Sequence, residues 1–244
     1  MEYKFVLLFT VGCVAGFINV MAGGGSALTL PALIFLGLDG SMANGTNRIA
    51  LFIQNISAVS SFKKNKTSEF SKSLKYAAFT LPGAILGAIV AVTISHALFQ
   101  RILGVVIIGI MISLFVSPAS HKSITEKKNI LIYPALVGIG LYGGFIQAGV
   151  GFIIIASLYH ILHIHLVKVN MHKVFIILVY TIPALAIFIY TGNVHWVYGF
   201  SLAAGNAVGA WWGAHVAVRG GDRVIKIFLA ITMVIMAFKL FGAF

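Results

Sequence analysis

The sequence predicts an all-α integral membrane protein made of two homologous halves, about four helical segments each, related as an inverted repeat. Three observations predict it. Hydrophobic residues make up 60% of the 244 positions and charged residues only 9%, where a soluble domain carries about 25% charged residues. Apolar stretches of about 17 to 24 residues recur along the chain, long enough for a ~30 Å hydrocarbon core. Finally, Gly16-Phe17-Ile18-Asn19 returns as Gly144-Phe145-Ile146-Gln147, and a glycine-rich break follows each copy.

The apolar segments fall at 4–21, 26–38, 45–62, 74–95, 98–117, 129–147, 152–164, 172–191, 195–216 and 224–243. The first carries part of the repeat and lacks a small-residue cleavage pattern, so it reads as a retained helix, not a signal peptide. It ends at Gly23-Gly24-Gly25, because each glycine costs a helix about 1 kcal/mol relative to alanine. Ser26 then stands where it can cap the next segment. The third segment opens on Thr46-Asn47-Arg48 and carries Gln54 and Asn55 near mid-span. Lys63 to Lys75 is the clearest aqueous loop, with five lysines. The fourth segment holds Pro82-Gly83-Ala84-Ile85-Leu86-Gly87-Ala88, and the fifth opens near Arg101-Ile102.

A polar linker at 118–128 then joins halves at about 1–117 and 129–244, which form one membrane domain. The second half repeats the order of the first. Its break is Gly149-Val150-Gly151, and its polar-basic pair is His172-Lys173, matching Asn47-Arg48. Ala204-Gly205-Asn206-Ala207-Val208-Gly209-Ala210 echoes the Pro82 stretch, and Arg223-Val224 echoes Arg101-Ile102. Gly-interrupted helices at matching positions of two halves are a sequence sign of secondary transporters.

The second and seventh segments are about 12 residues long, reaching only ~18 Å. Each broken pair, 4–38 and 129–164, therefore either crosses once as a tilted helix or folds back as a hairpin. A single crossing divides the 17 lysines and arginines 10 against 7 between the two sides, and a fold-back divides them 13 against 4. The sharper asymmetry favours fold-back with both termini outside. Setting aside Arg48 and Lys173 leaves 12 against 3.

The net charge of +12 belongs to loops facing an anionic membrane surface. No basic patch interleaved with stacking aromatics marks a nucleic-acid partner. The single Cys13 excludes an intramolecular disulfide.

Several residues stand out for chemistry. Helix starts after Gly23, Gly24, Gly25 and after Gly149, Gly151 present free N–H groups and partial positive charge, which suits an anion. Non-helical backbone at membrane depth is tolerated where it meets protein or a water-filled cavity. Arg48 and Lys173 lie at the starts of matching helices. The acids are Glu2, Asp39, Glu69, Glu126 and Asp222, all at segment ends or loops. A membrane-embedded cation without a carboxylate needs water, backbone carbonyls or a substrate anion. Thr46, Asn47 and His172 stand beside the two cations as hydrogen-bonding groups.

Asn19 and Gln147 precede the breaks at equivalent places. Gln54, Asn55, Tyr180 and Asn206 are further polar residues inside apolar segments, where helix–helix hydrogen bonding is the plain alternative to substrate contact. His172 is the candidate for proton coupling, since histidine titrates near neutrality. His160, His163 and His165 lack an accompanying carboxylate or cysteine, so no metal is expected. No cofactor is expected. Without an internal acid no nucleophile–base–acid set can be assembled, which argues against an enzyme.

These residues carry a family resemblance. Gly16-Phe17-Ile18 leading to Gly23-Gly24-Gly25, then Leu30-Pro31-Ala32-Leu33 and Ala43-Asn44-Gly45-Thr46-Asn47-Arg48, resembles the opening of the TauE/SafE family of membrane anion transporters. Gly192-Asn193-Val194-His195-Trp196, Gly209-Ala210-Trp211-Trp212-Gly213-Ala214-His215 and Arg219-Gly220-Gly221-Asp222-Arg223-Val224-Ile225 are similar to its closing stretch. The resemblance implies a multi-pass transporter in a bacterial or archaeal cytoplasmic membrane. Its substrate would be a small organosulfur or other oxyanion, such as a sulfonate or sulfite, and protons would drive it by alternating access. Its partners would be that anion, protons and the lipid bilayer, and a homodimer is compatible with it. One departure is visible. Members often carry an acid before the second break, with a proline and a threonine inside it; this chain has Tyr142-Gly143-Gly144 and Gln147-Ala148-Gly149-Val150-Gly151. An anion channel, or a membrane-embedded enzyme or assembly factor, is the alternative reading.

Overall fold

A computed structural model describes residues 2–65, 69–95, 97–99, 101–102, 104–106 and 129–240. Lys66, positions 107–117 of the fifth apolar segment and the linker at 118–128 lie outside the described residues. The described residues form helices and no strands. They are α1 Glu2–Met21, α2 Ser26–Phe35, α3 Gly40–Lys64, α4 Phe70–Thr93, α5 Ile132–Phe145, α6 Val150–Leu162, α7 Leu166–Tyr190 and α8 Trp196–Leu240. Three of them, at Tyr3–Met21, Phe70–Thr93 and Leu166–Tyr190, are long and apolar enough to cross a membrane.

Local chemistry sets the ends. α1 stops where the amides of Ala22 and Gly23 both donate to Ile18 O, at 2.7 and 3.2 Å, and Gly23 turns to φ +90°. That left-handed turn is open to glycine at little cost. Asp39 caps α3 by accepting from Met42 N at 2.9 Å. α5 ends the way α1 does, with Ile146 N and Gln147 N both donating to Tyr142 O at 3.0 and 3.4 Å.

Two boundaries differ from the sequence expectation. α3 and α7 begin at Gly40 and Leu166, five to six residues before the apolar segments do. Ser41 and Asn44 in the opening of α3 and Asn170 in that of α7 are buried, and the two asparagines reach the glycine breaks, where Asn44 donates to Phe145 O at 2.7 Å and Asn170 to Met21 O at 3.4 Å. Arg48 and Lys173 therefore sit about two turns inside their helices, and not at the starts. Within α8 the non-helical backbone of Gly221 (φ 61°, ψ −164°) interrupts the helix between the segments expected at 195–216 and 224–243, of which positions 241–243 lie outside the described residues.

Side-chain contacts fix the helix directions. α1 runs alongside α8 in the same direction: Phe5 meets Tyr198 edge-on at 6.4 Å, Gly12 packs on Leu202, and Gly209 on Cys13. α5 runs along α4 in the same relation, with Phe79 on Tyr133 at 4.5 Å, Gly83 on Val137 and Gly144 on Ala84. α3 also follows α8: Ser57 Oγ donates to Ala207 O at 2.7 Å and Ser61 Oγ to Trp211 O at 3.2 Å. The start of α3 meets the end of α7, where Gly45 packs on Phe188 and Asn193.

Because α1 and α3 both run with α8, the chain must return between them, and α2 carries it back. Gly25, at the head of α2, already lies against Ala15 and Asn19 of α1. α1 and α2 thus form a hairpin, the geometry that the lysine and arginine asymmetry favours.

The core forms two apolar clusters. One joins Val20, Met21 and Ala22 at the first break to Ile154, Leu158 and Ile177 of α6 and α7. The other joins Ile146 and Ala148 at the second break to Leu30, Leu33 and Ala50 of α2 and α3. The first break thus shares its cluster with α6 and α7, and the second with α2 and α3.

Candidate functional site

The two breaks touch. A methyl group placed on Gly23 would stand 2.4 Å from the Gly151 carbonyl carbon, and one on Gly151 would stand 2.4 Å from Gly23 Cα. Real carbon atoms never approach so closely, so glycine at both positions is what lets the backbones meet. Gly23 follows Gly16 at the same spacing as Gly151 follows Gly144. At the first break the amides of Gly24, Gly25 and Ser26 find no acceptor among the described residues. Ser26 is the first residue of α2 and makes no capping bond; Gly25 holds the cap position. Gly149, at φ 69°, holds the cap position of α6.

Each of the two cations reaches the glycine break that is remote from it in sequence. Lys173 Nζ donates to Asn19 O at 2.9 Å, to Val20 O at 2.7 Å and to Asn170 Oδ1 at 2.8 Å. Arg48 donates from both terminal nitrogens to Gly143 O at 3.3 Å and from one of them to Gly144 O. Its guanidinium also lies 4.6 Å over the Phe188 ring. The last carbonyls of a helix lack intrahelical donors, and an ammonium or guanidinium at a helix C-terminus meets the negative end of its dipole. Both cations thus cap helices that the glycines cut short, which is how two buried charges persist without carboxylates. Arg48 is 0% and Lys173 1% exposed.

The remaining candidates divide. Gln147 is 1% exposed and held at φ 67°. Its amide faces the Tyr180 hydroxyl without closing a well-aligned hydrogen bond. Asn47 is fully buried, and both of its amide atoms are unpaired. His172 Nδ1 pairs with Ser73 Oγ at 2.8 Å, and its ring meets Tyr76 edge-on at 5.4 Å. Asn19, 5% exposed, contributes its backbone carbonyl.

Thr46 turns away toward α8, where its Oγ1 accepts from His195 N at 2.9 Å. Gln54 is buried two turns further along α3, and Asn55 bonds back to Leu51 O at 2.7 Å. Among the described residues no hydrogen bond brings those three to the breaks. Asn206 is buried with both amide atoms unpaired, on the face of α8 against Gly16. No group of three His, Cys, Asp or Glu able to hold a metal occurs among the described residues.

The sequence reading missed three supporting residues. Asn170 steadies Lys173, Asn44 Nδ2 donates to Phe145 O at 2.7 Å, and Ser73 holds His172. Asn44 and Asn170 were legible by helical spacing, four residues before Arg48 and three before Lys173. Ser73 gave no such signal, because it comes from another helix.

Comparison with known families matches the model described as sulfite exporter TauE/SafE over residues 8–240. The chain is 28% identical over 237 residues to a probable membrane transporter protein of Haemophilus influenzae, covering 96% of this chain and 93% of that one. It is 27% identical to the probable membrane transporter protein YfcA of Escherichia coli K12, covering 96% and 88%. It is 23% identical to the probable membrane transporter protein YunE of Bacillus subtilis, covering 97% of each. No solved structure matches the chain.

Proposed function

The chain belongs to the sulfite exporter TauE/SafE family of membrane proteins, and on that premise we propose that it is a secondary transporter of a small oxyanion. The substrate would be a sulfonate, sulfite or related organic anion, carried across the cytoplasmic membrane with protons. The observation that carries this reading is the meeting of two glycine-broken helix ends at Gly23 and Gly151, with Arg48 buried beside the second. Broken helices at a repeat interface give a transporter an ion site whose walls can rock.

We also read the halves, about 1–117 and 129–244, as an inverted repeat. Reciprocal packing supports it. α1 on α8 answers α5 on α4, and the Lys173 cap on α1 answers the Arg48 cap on α5. Gly23 against Gly151 is then the contact of equivalent positions at the axis. Alternating access would move one half against the other about that point, with His172 carrying the proton.

The test is a thermal-shift series on purified protein with sulfite, methanesulfonate, isethionate, taurine, sulfate and small carboxylates. An anion at 100 times its dissociation constant stabilises by about 2.7 kcal/mol. One or more anions should raise the melting temperature of the wild type, and Arg48→Ala should lose that response. Because Arg48 also caps α5, the comparison is the ligand-induced shift in each protein, with Arg48→Lys retaining a cap. A full response in both variants would remove Arg48 from the site. No response of the wild type to any anion would overturn the oxyanion reading.

A further inference from the structure

Building on the oxyanion reading, we propose that the anion is held at the second break alone, by Arg48, Tyr180 and Gln147. Lys173 is then a positioning residue that never touches it, and the site selects singly charged oxyanions over doubly charged ones. The two cations look equivalent in sequence, and the difference between them lies in their remaining hydrogen-bonding capacity. An ammonium has three N–H groups. All three of Lys173 are engaged, by Asn19 O, Val20 O and Asn170 Oδ1. It has no donor left for a substrate.

Arg48 is different. Its terminal nitrogens cap α5, but its Nε–H is buried and unpaired. Around it stand further buried groups without a closed hydrogen bond: the Tyr180 hydroxyl, both amide atoms of Gln147 and Asn44 Oδ1. Tyr180 is fully buried, and its hydroxyl lies so close over Gly143 that a methyl group there would come within 2.8 Å of it. Gln147, held in the left-handed region, is an uncommon conformation for a residue with a side chain and clusters at ligand sites. A buried polar group without a protein partner calls for a water, an ion or a ligand. Several around one guanidinium make a built site.

The chemistry of the set specifies its ligand. Arg48 Nε–H, Tyr180 O–H and the Gln147 amide N–H are three donor groups. That is one for each oxygen of a sulfonate-type head, or enough for a carboxylate with one to spare. The site carries a single positive charge. A monoanion is neutralised there, whereas a dianion leaves one buried charge uncompensated, and facing the unpaired Asn44 Oδ1 acceptor.

The experiment uses the full chain in detergent, with methanesulfonate as the singly charged probe and sodium sulfate as the doubly charged one. The readouts are the unliganded melting temperature and the half-saturating anion concentration. Methanesulfonate should act at a concentration at least about tenfold below that of sulfate. Tyr180→Phe should raise its half-saturating concentration at least about tenfold, since hydrogen bonds to charged groups are the strong ones. The same variant should melt no lower than wild type when unliganded, because the change removes an orphaned hydroxyl. Lys173→Arg keeps donors for the α1 carbonyls, and its anion response should stay within about twofold of wild type.

Unchanged methanesulfonate binding by Tyr180→Phe would mean that the anion does not meet the Tyr180 hydroxyl, and would overturn the inference. So would a preference for sulfate, or a tenfold loss in Lys173→Arg at an unchanged unliganded melting temperature. In those cases the wild type still responds and the oxyanion reading stands. A wild type that responds to neither anion, nor to the wider panel, removes both.

Discussion

A lysine side chain inside an apolar protein is costly unless every N–H finds an acceptor. At Lys173 the acceptors are two carbonyls that the glycine break leaves without helical donors, and one asparagine oxygen. The charge and the break therefore stabilise each other, and removing either exposes the other. Lys173→Met should destabilise the protein by about 2–4 kcal/mol, because it orphans two buried carbonyls and Asn170. A lowered melting temperature in detergent checks this. An unchanged value would mean that water replaces the ammonium. Asn19 was nominated in the sequence for its side chain, yet the contact it makes here is through its main chain.

Pairs of helices meet through glycine at the next scale. Gly12, Gly16, Gly205 and Gly209 let α1 and α8 approach until backbone touches backbone, and a methyl group on Gly209 would stand 1.9 Å from Cys13 O. Close approach of this kind is how helices associate where lipid removes the hydrophobic drive. Gly209→Ala should therefore lower stability. Gly138, on α5, has no atom within 4 Å of its would-be methyl group, and Gly138→Ala should raise stability by about 0.5–1 kcal/mol through helix propensity. Melting temperatures moving in opposite directions would confirm that packing and propensity act separately. A fall in both would place Gly138 at a contact.

An ion pair also joins the starts of α4 and α7. Glu69 accepts from Lys168, and from Lys72 at 3.2 Å. The Lys168 hydrogen bond, helped by Lys72, holds its carboxyl below the usual carboxylate range. A depressed folded-state pKa adds stability above the unfolded value and loses it as pH falls through the folded one. For a partly exposed pair this is about 0.5–1 kcal/mol. Acidifying into the carboxylate range should cost wild type that increment, while Glu69→Gln lacks it throughout. Parallel melting curves against pH for the two proteins would count against the pair.

The whole molecule has two ends, and the hairpins decide which residues share one. Leu38, after α2, lies with the start of α3, and Asn193 lies there too, packed on Gly45. Asn65 lies at the other end of α3. In a Cys13→Ser background, Leu38→Cys and Asn193→Cys should react with an impermeant thiol reagent from one side of the membrane, and Asn65→Cys from the other. Labelling of Leu38→Cys on the Asn65 side would mean that the first broken pair crosses once. The end that holds Asn65 also gathers Lys63, Lys64, Lys72 and Lys168, which fits a surface turned to anionic lipid.

Much of this was legible in the chain because it is local. Hydropathy placed the apolar helices. Three glycines in a row ended α1 wherever α1 happened to pack, and the duplicated motifs aligned the two breaks. Even the hairpin was visible, as a charge asymmetry. The first turns of α3 and α7, at 40–44 and 166–171, were not, since Asn44 and Asn170 look like loop residues until distant parts of the chain bury them. Nor were the partners of the cations. Arg48 finds its acceptors 95 and 96 positions away, and Lys173 finds its carbonyls more than 150 away. The composition declared that two cations lacked carboxylates. Only the folded chain decided that carbonyls replace them, because the free carbonyls of a broken helix gain a fixed position in space once helices distant in sequence have packed together.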